Sequence, residues 1–190
     1  MTKIQNTREK IEHAAVQLIA ARGVDGVSMR DIATAVGVTE AALYRHFTNK
    51  RALVWEIFTL RYDEFAVKLA ALQHLHSKLR DKLAVMIGAC CAFFDSDRDL
   101  FTFLLLAQDI QRLAPQNYKA AFPVMLHELL AVAIKRGEIP AQEIEISSAM
   151  IMGAVLQAAL YCLYQKPRPK KMMPLAETLA SACWRIARGK

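Results

Sequence analysis

The sequence predicts an all-α protein, on three observations. Apolar residues recur at helical spacing along most of the 190 residues, alternation of period two is scarce, and only 7 Gly and 6 Pro interrupt a chain that is 54% hydrophobic. That hydrophobic share is ample for a core, and the boundaries between segments carry recognisable start and stop residues.

Asn6 or Thr7 caps a first helix whose apolar stripe is Ile11, Ala14, Ala15, Leu18 and Ile19, and Gly23 stops it. A second, short helix starts at Ser28. Ser28 and Asp31 have capping-box spacing, so each satisfies a backbone N–H that the first turn leaves without a partner, and the acid sits where the helix dipole favours it. Ile32, Ala33 and Val36 share one face, and Gly37 supplies the positive φ of a sharp turn. Val38 plugs inward and Thr39 caps a third helix, with Leu43 and Phe47 four apart on its buried side. The opposite arc presents Ala41, Tyr44 and Arg45. Two short helices pinched at a glycine, the second with a polar and cationic outer face, suit a DNA major groove about 12 Å wide. Tyr44, His46 and Lys50 fit phosphates, and Arg45 fits a base edge.

Thr48 and Asn49 cap a long fourth helix from Lys50 to about Leu72, with Leu53, Val54, Ile57, Phe58, Phe65 and Leu69 inward. The segment Gln73 to Ser77 breaks it and leaves His74 and His76 facing solvent. Five further helices are expected over Lys78–Asp95, Asp97–Leu113, Pro115–Arg136, Pro140–Gln165 and Lys170–Arg188. Their boundaries are the acidic stretch Asp95 to Asp99, the Ala114-Pro115 pair, the Gly137 to Pro140 segment, and the two prolines between Lys166 and Lys170. A small three-helix head, residues 1–49, therefore precedes a larger helical body, residues 50–190.

The net charge of +7 is a poor guide to nucleic acid, because most of it is C-terminal. Residues 1–60 carry 8 Lys and Arg against 6 Asp and Glu, residues 61–163 carry 10 against 11, and residues 164–190 carry 7 against 1. The basic run from Lys166 to Lys171 reads as a solvated loop. Cys90, Cys91, Cys162 and Cys183 lie in apolar helical stretches without metal-ligand spacing, as reduced core thiols do, although the adjacent Cys90 and Cys91 leave a redox sensor open. A polar residue interrupts every apolar run before the roughly 20 residues a membrane helix requires, and no apolar leader follows the N-terminus, so a cytoplasmic protein is expected. No nucleophile elbow, phosphate loop, metalloprotease motif or carboxylate pair is present, so neither catalysis nor a cofactor or metal is expected.

Through RGVDGVSMRDIA, GVTEAALYRHF and NKRALV, residues 7 to about 60 resemble the TetR family of bacterial transcriptional regulators. The resemblance implies a homodimer that binds a palindromic double-stranded DNA operator, most simply as a repressor, and a C-terminal body that binds a small-molecule effector. It also implies that Ser28, Tyr44, His46 and Lys50 hold the phosphate backbone, while Thr39, Glu40, Ala41 and Arg45 face bases; Arg30 joins the same candidate surface. Glu40 either accepts from a cytosine amino group or serves the helix N-terminus. The alternative function is a DNA-bound factor that recruits another protein and takes no small ligand.

The body carries no comparable signature. Gly153, Ala154 and Ala158 permit close helix crossing, and with Trp184 they are candidates for the twofold interface that the resemblance implies. Phe94, Phe103, Gln108, Asp109, Tyr118, Met125, Gln157 and Tyr161 are candidates to line an apolar, methionine-rich effector cavity. Asp109, a carboxylate in an apolar run, requires either Arg112 or a ligand cation as its partner.

Overall fold

The computed structural model describes residues 3–107, 121–165 and 170–189, and within them every regular element is helical. The elements are α1 (Lys3–Arg22), α2 (Met29–Val36), α3 (Glu40–Tyr44), α4 (Lys50–His74), α5 (Leu79–Ser96), α6 (Arg98–Leu106), α7 (Ala121–Lys135), α8 (Ile144–Leu163), a 3-10 turn (Met173–Leu175) and α9 (Ala176–Ala187).

The stops read from the sequence are present. Gly23, Gly37 and Gly137 adopt φ of 75°, 78° and 71°, and each ends a helix in the left-handed conformation that costs glycine nothing sterically. Asn49 Oδ1 accepts from the Ala52 N–H at 2.8 Å to start α4, and Asp97 Oδ1 accepts from the Leu100 N–H at 3.1 Å to start α6. Several boundaries differ. α1 already starts at Lys3, so Asn6 and Thr7 lie within it and do not cap it, and α8 spans Ile144–Leu163 where the sequence predicts Pro140 to Gln165. α4 runs on to His74, so this histidine is exposed in the last helical turn and not in a loop. The last helix starts at Ala176, not at Lys170, because the Asp95 carboxylate accepts from the Met172 and Met173 N–H groups at 2.8 and 3.0 Å and pins a separate 3-10 turn opened by Pro174.

The chain divides into two compact units, Met1–Asp63 with Asp97–Tyr118, and Glu64–Ser96 with Lys119–Lys190. In the first, Ile11, Ala15 and Ile19 of α1, Ile32 and Ala33 of α2, Leu43, Phe47 and the α4 residues Leu53, Val54, Ile57 and Phe58 form one buried core. Phe103 of α6 closes that core, fully buried, with Ala107 beside it. A helix expected in the body thus packs against α1, because Phe103 and its neighbours Leu100 and Leu104 find their apolar partners there. Packing groups residues differently from a division after residue 49.

In the second unit α5 packs on α9, α9 on α8 and α8 on α7. Leu83, Met86, Ile87, Cys90, Cys91 and Phe94 line the inner side of α5. The Glu138 carboxylate accepts from the Leu79 N–H at 2.8 Å and so supplies the cap at the start of α5. α8 is long and apolar enough by composition to cross a membrane, contrary to the sequence reading, since Glu145 and Gln157 barely dilute it. Only 33% of its most apolar stretch is buried within the chain.

Candidate nucleic-acid interface

The interface begins with how α2 and α3 are held. The Asp31 N–H donates to Ser28 Oγ at 3.1 Å and the Ser28 N–H donates to Asp31 Oδ2 at 2.8 Å, a complete capping box; the Ser28 hydroxyl also donates to the same carboxylate. These hydrogen bonds hold the Asp31 carboxyl below its usual range. Ser28 is exposed, but its hydroxyl proton and its N–H are both given to Asp31, so its first role is to hold α2. The Gly37 and Val38 N–H groups both donate to Ala33 O at 3.0 Å, closing the turn. Thr39 Oγ1 accepts from the Ala42 N–H at 3.2 Å and starts α3 with Glu40 in its first turn.

α3 is anchored from below by Leu43, with no exposed surface, and by Phe47 just beyond it. Its outward side then follows from helical geometry: Thr39, Glu40, Ala41, Tyr44 and Arg45 are all exposed. Arg30 of α2 is exposed as well, while His46 is half-buried, with its ring centroid 6.4 Å from that of Phe47. Tyr44 keeps 47% of its surface, unusual for an aromatic not needed in the core. The arrangement can donate hydrogen bonds and positive charge along one short helix, and it offers one carboxylate, Glu40.

Two contacts were not legible in the sequence. Arg8 lies over the Phe47 ring, 5.1 Å from its centroid, and pairs with Glu12 at 3.1 Å and with Glu56, so α1, α4 and the end of the recognition segment share one cation. Lys50 reaches back to the loop before α2, with Nζ donating to Val24 O and Val27 O at 2.8 Å each. Only the Arg8–Glu12 pair, four residues apart on one helix, has a sequence signal; the other partners are 23 to 48 residues away.

For the remaining candidates, the structure buries Phe94 in the body, half-buries Met125 on α7 and places Phe103 in the core of the first unit. Gln108, Asp109 and Tyr118 lie outside the described residues. Gln157 and Tyr161 do not point into the protein. They stand on the outward face of α8 with Gly153, because residues four apart share a helical face. Ala154, Ala158 and Trp184 are half-buried beside that face and on α9, and Trp184 carries Arg188 over its ring at 5.8 Å. Among the described residues no group of three or more His, Cys, Asp or Glu is placed to hold a metal.

A tri-helical unit with a capped, glycine-pinched helix pair and an exposed polar recognition face defines a helix-turn-helix DNA-binding head. Residues 11–57, the heart of this head, match the family model for bacterial regulatory proteins of the tetR family. It is 34% identical over 96 residues to the class C tetracycline repressor protein of Escherichia coli, a match covering 49% of this chain and 39% of the repressor. The HTH-type transcriptional repressor BepR of Brucella suis is 28% identical over 160 residues, covering 79% of this chain and 77% of BepR. The fold as a whole is similar to that of the transcriptional regulator FadR from Bacillus subtilis, solved in complex with stearoyl-CoA, with a TM-score of 0.77 at 19% identity over 96% of this chain and 98% of FadR. The matches to the tetracycline repressors of classes C and A span 39% and 40% of those proteins.

Proposed function

We propose that the protein is a ligand-responsive transcriptional regulator, most simply a repressor, that binds a palindromic operator as a homodimer in the cytoplasm and leaves it when a small, largely apolar effector binds. The observation that carries this reading is α3, seated on Leu43 and Phe47 and presenting Thr39, Ala41, Tyr44 and Arg45 outward. In functional terms residues 1–49 read the DNA and residues 50–190 form the effector and dimer body. Tyr44 and His46 position the head on phosphates, with Arg30 and Ser28 at the edge of the same surface; Arg45, Thr39, Ala41 and Glu40 face bases. The effector reading draws on relatives whose names carry a ligand, tetracycline and stearoyl-CoA, and on Phe94 and Met125 in the body.

A second copy of the chain is the occupant we assign to the outer face of α8. Ile146, Met150, Gly153, Gln157, Tyr161 and Tyr164 follow one another at four- and three-residue steps and are all exposed, with Ile146, Met150, Tyr161 and Tyr164 each keeping 53% to 66% of their surface. Such spacing is a helix–helix seam. Ser147, Ile151, Val155, Ala159 and Cys162 bury the other side against the chain's own core, so the seam is spare. An antiparallel twofold pairing sets Gly153 across from Gln157 of the partner subunit, and Ile146 and Met150 across from its tyrosines.

The test is selection of bound duplexes from a random DNA pool at about 150 mM salt, a concentration at which phosphate contacts alone bind weakly. An enriched palindrome supports the reading. Binding without enrichment overturns it in favour of a nonspecific or protein-recruiting factor.

A further inference from the structure

We propose that Lys50 is a positioning residue of the head, a clasp that ties the first turn of α4 to the α1–α2 loop and holds the start of α2 in register for DNA. The proposal rests on the DNA-binding reading above but concerns the free protein. The Lys50 ammonium lies 2.8 Å from both Val24 O and Val27 O, and the side chain is half-buried. Those carbonyls belong to the connection between Arg22 and Met29, outside any helical ladder, where a backbone acceptor removed from water requires a donor. The placement of the charge fits the same role. α4 opens with Lys50 and Arg51 and has no acid in its first turn, an arrangement its dipole disfavours. The opposition is offset when the ammonium folds back towards the C-terminal end of α1 and donates to two carbonyl oxygens.

The clasp sits beside the parts that matter. Val27 keeps 2% of its surface and is followed at once by Ser28, the cap of α2. Two of the three ammonium donors are spent within the protein, whereas the neighbouring Arg51 is exposed. A lysine present only to meet phosphate would have no such geometry in the absence of DNA. Its removal would lower the number of ions released on binding, and removal of a clasp would not.

The experiment is amide hydrogen exchange on the full chain without DNA, followed by the salt dependence of operator binding, for wild type, Lys50→Met and the control Arg51→Met. The amides of Ser28, Asp31 and Ile32, all bonded within the α2 cap, should exchange about 10- to 100-fold faster in Lys50→Met and at the wild-type rate in Arg51→Met. Operator affinity of Lys50→Met should fall about 10-fold with an unchanged salt slope, whereas loss of a phosphate contact lowers the slope by about 0.9. Wild-type exchange in Lys50→Met, or a slope reduced by about that amount, overturns the clasp. Failure of Lys50→Met to fold beside a folded Arg51→Met supports it, and Lys50→Gln then serves for the exchange comparison, where faster exchange is again required. If the wild type binds no DNA the functional reading fails, and the exchange result still decides the clasp.

Discussion

Gly153→Leu separates assembly from folding. A Cβ built at Gly153 meets nothing within 4 Å, and the residue is exposed in the middle of α8. Within one protomer the substitution is therefore free of clash, and replacing glycine by a strong helix former should stabilise the monomer by roughly 0.5 to 1 kcal/mol. In the antiparallel pairing the same position is near the centre of the seam. Overpacking a close contact costs typically about 1 to 3 kcal/mol, and twofold symmetry applies it twice, so the dimer should lose roughly 2 to 6 kcal/mol, or about 30-fold to more than 10,000-fold in Kd. Sedimentation velocity across a micromolar dilution series reads the association, and thermal unfolding at a dilution where both proteins are monomeric reads the protomer. Monomers with an equal or raised Tm are expected. A dimer of unchanged Kd would refute the seam, and a lowered protomer Tm would refute the claim that Gly153 borders open space.

Removing Tyr44 by Tyr44→Ala should weaken binding to every duplex alike, whereas Arg45→Ala should relax preference at one base of each half-site by about 1 to 3 kcal/mol; binding-site selection on each variant distinguishes them, and equal loss of preference would sink the division of roles. Ser28→Ala removes one side of the capping box and should cost about 1 kcal/mol in chemical unfolding. Because hydrogen bonds from Ser28 lower the Asp31 pKa, its contribution is complete above its ordinary value of 3.8 and disappears as pH falls through the lowered value; acid titration of wild type against Ser28→Ala should show the difference narrowing only there. Leu43→Ala empties a site with no exposed surface under α3 and should cost about 2 to 5 kcal/mol with loss of DNA binding. Burial pushes Cys90 up to about 12 and Cys91 and Cys183 to about 11, so at pH 8 an alkylating reagent should label these thiols only after denaturation; rapid labelling of the native protein would restore the sensor reading.

Local rules carried far in this chain. The all-helical class, the glycine stops, the caps at Ser28, Thr39, Asn49 and Asp97, and the division of α3 into a buried Leu43 side and an exposed Tyr44 side all depend on neighbours within four residues, and such relations are present in the order of residues. The spacing of the exposed α8 residues from Ile146 to Tyr164 is present in the order of residues too, but the same sequence fits Gln157 and Tyr161 to a cavity lining equally well. An apolar helix has two candidate faces, and periodicity does not say which one the protein already uses. Tertiary structure alone decided the rest. Phe103 completes the core around α1, Asp95 pins the turn before α9, Arg8 lies over Phe47 and Lys50 closes on Val24 and Val27. Each of these joins residues from 23 to 92 positions apart, so it depends on which surfaces the packed helices bring together, and no local pattern records that choice.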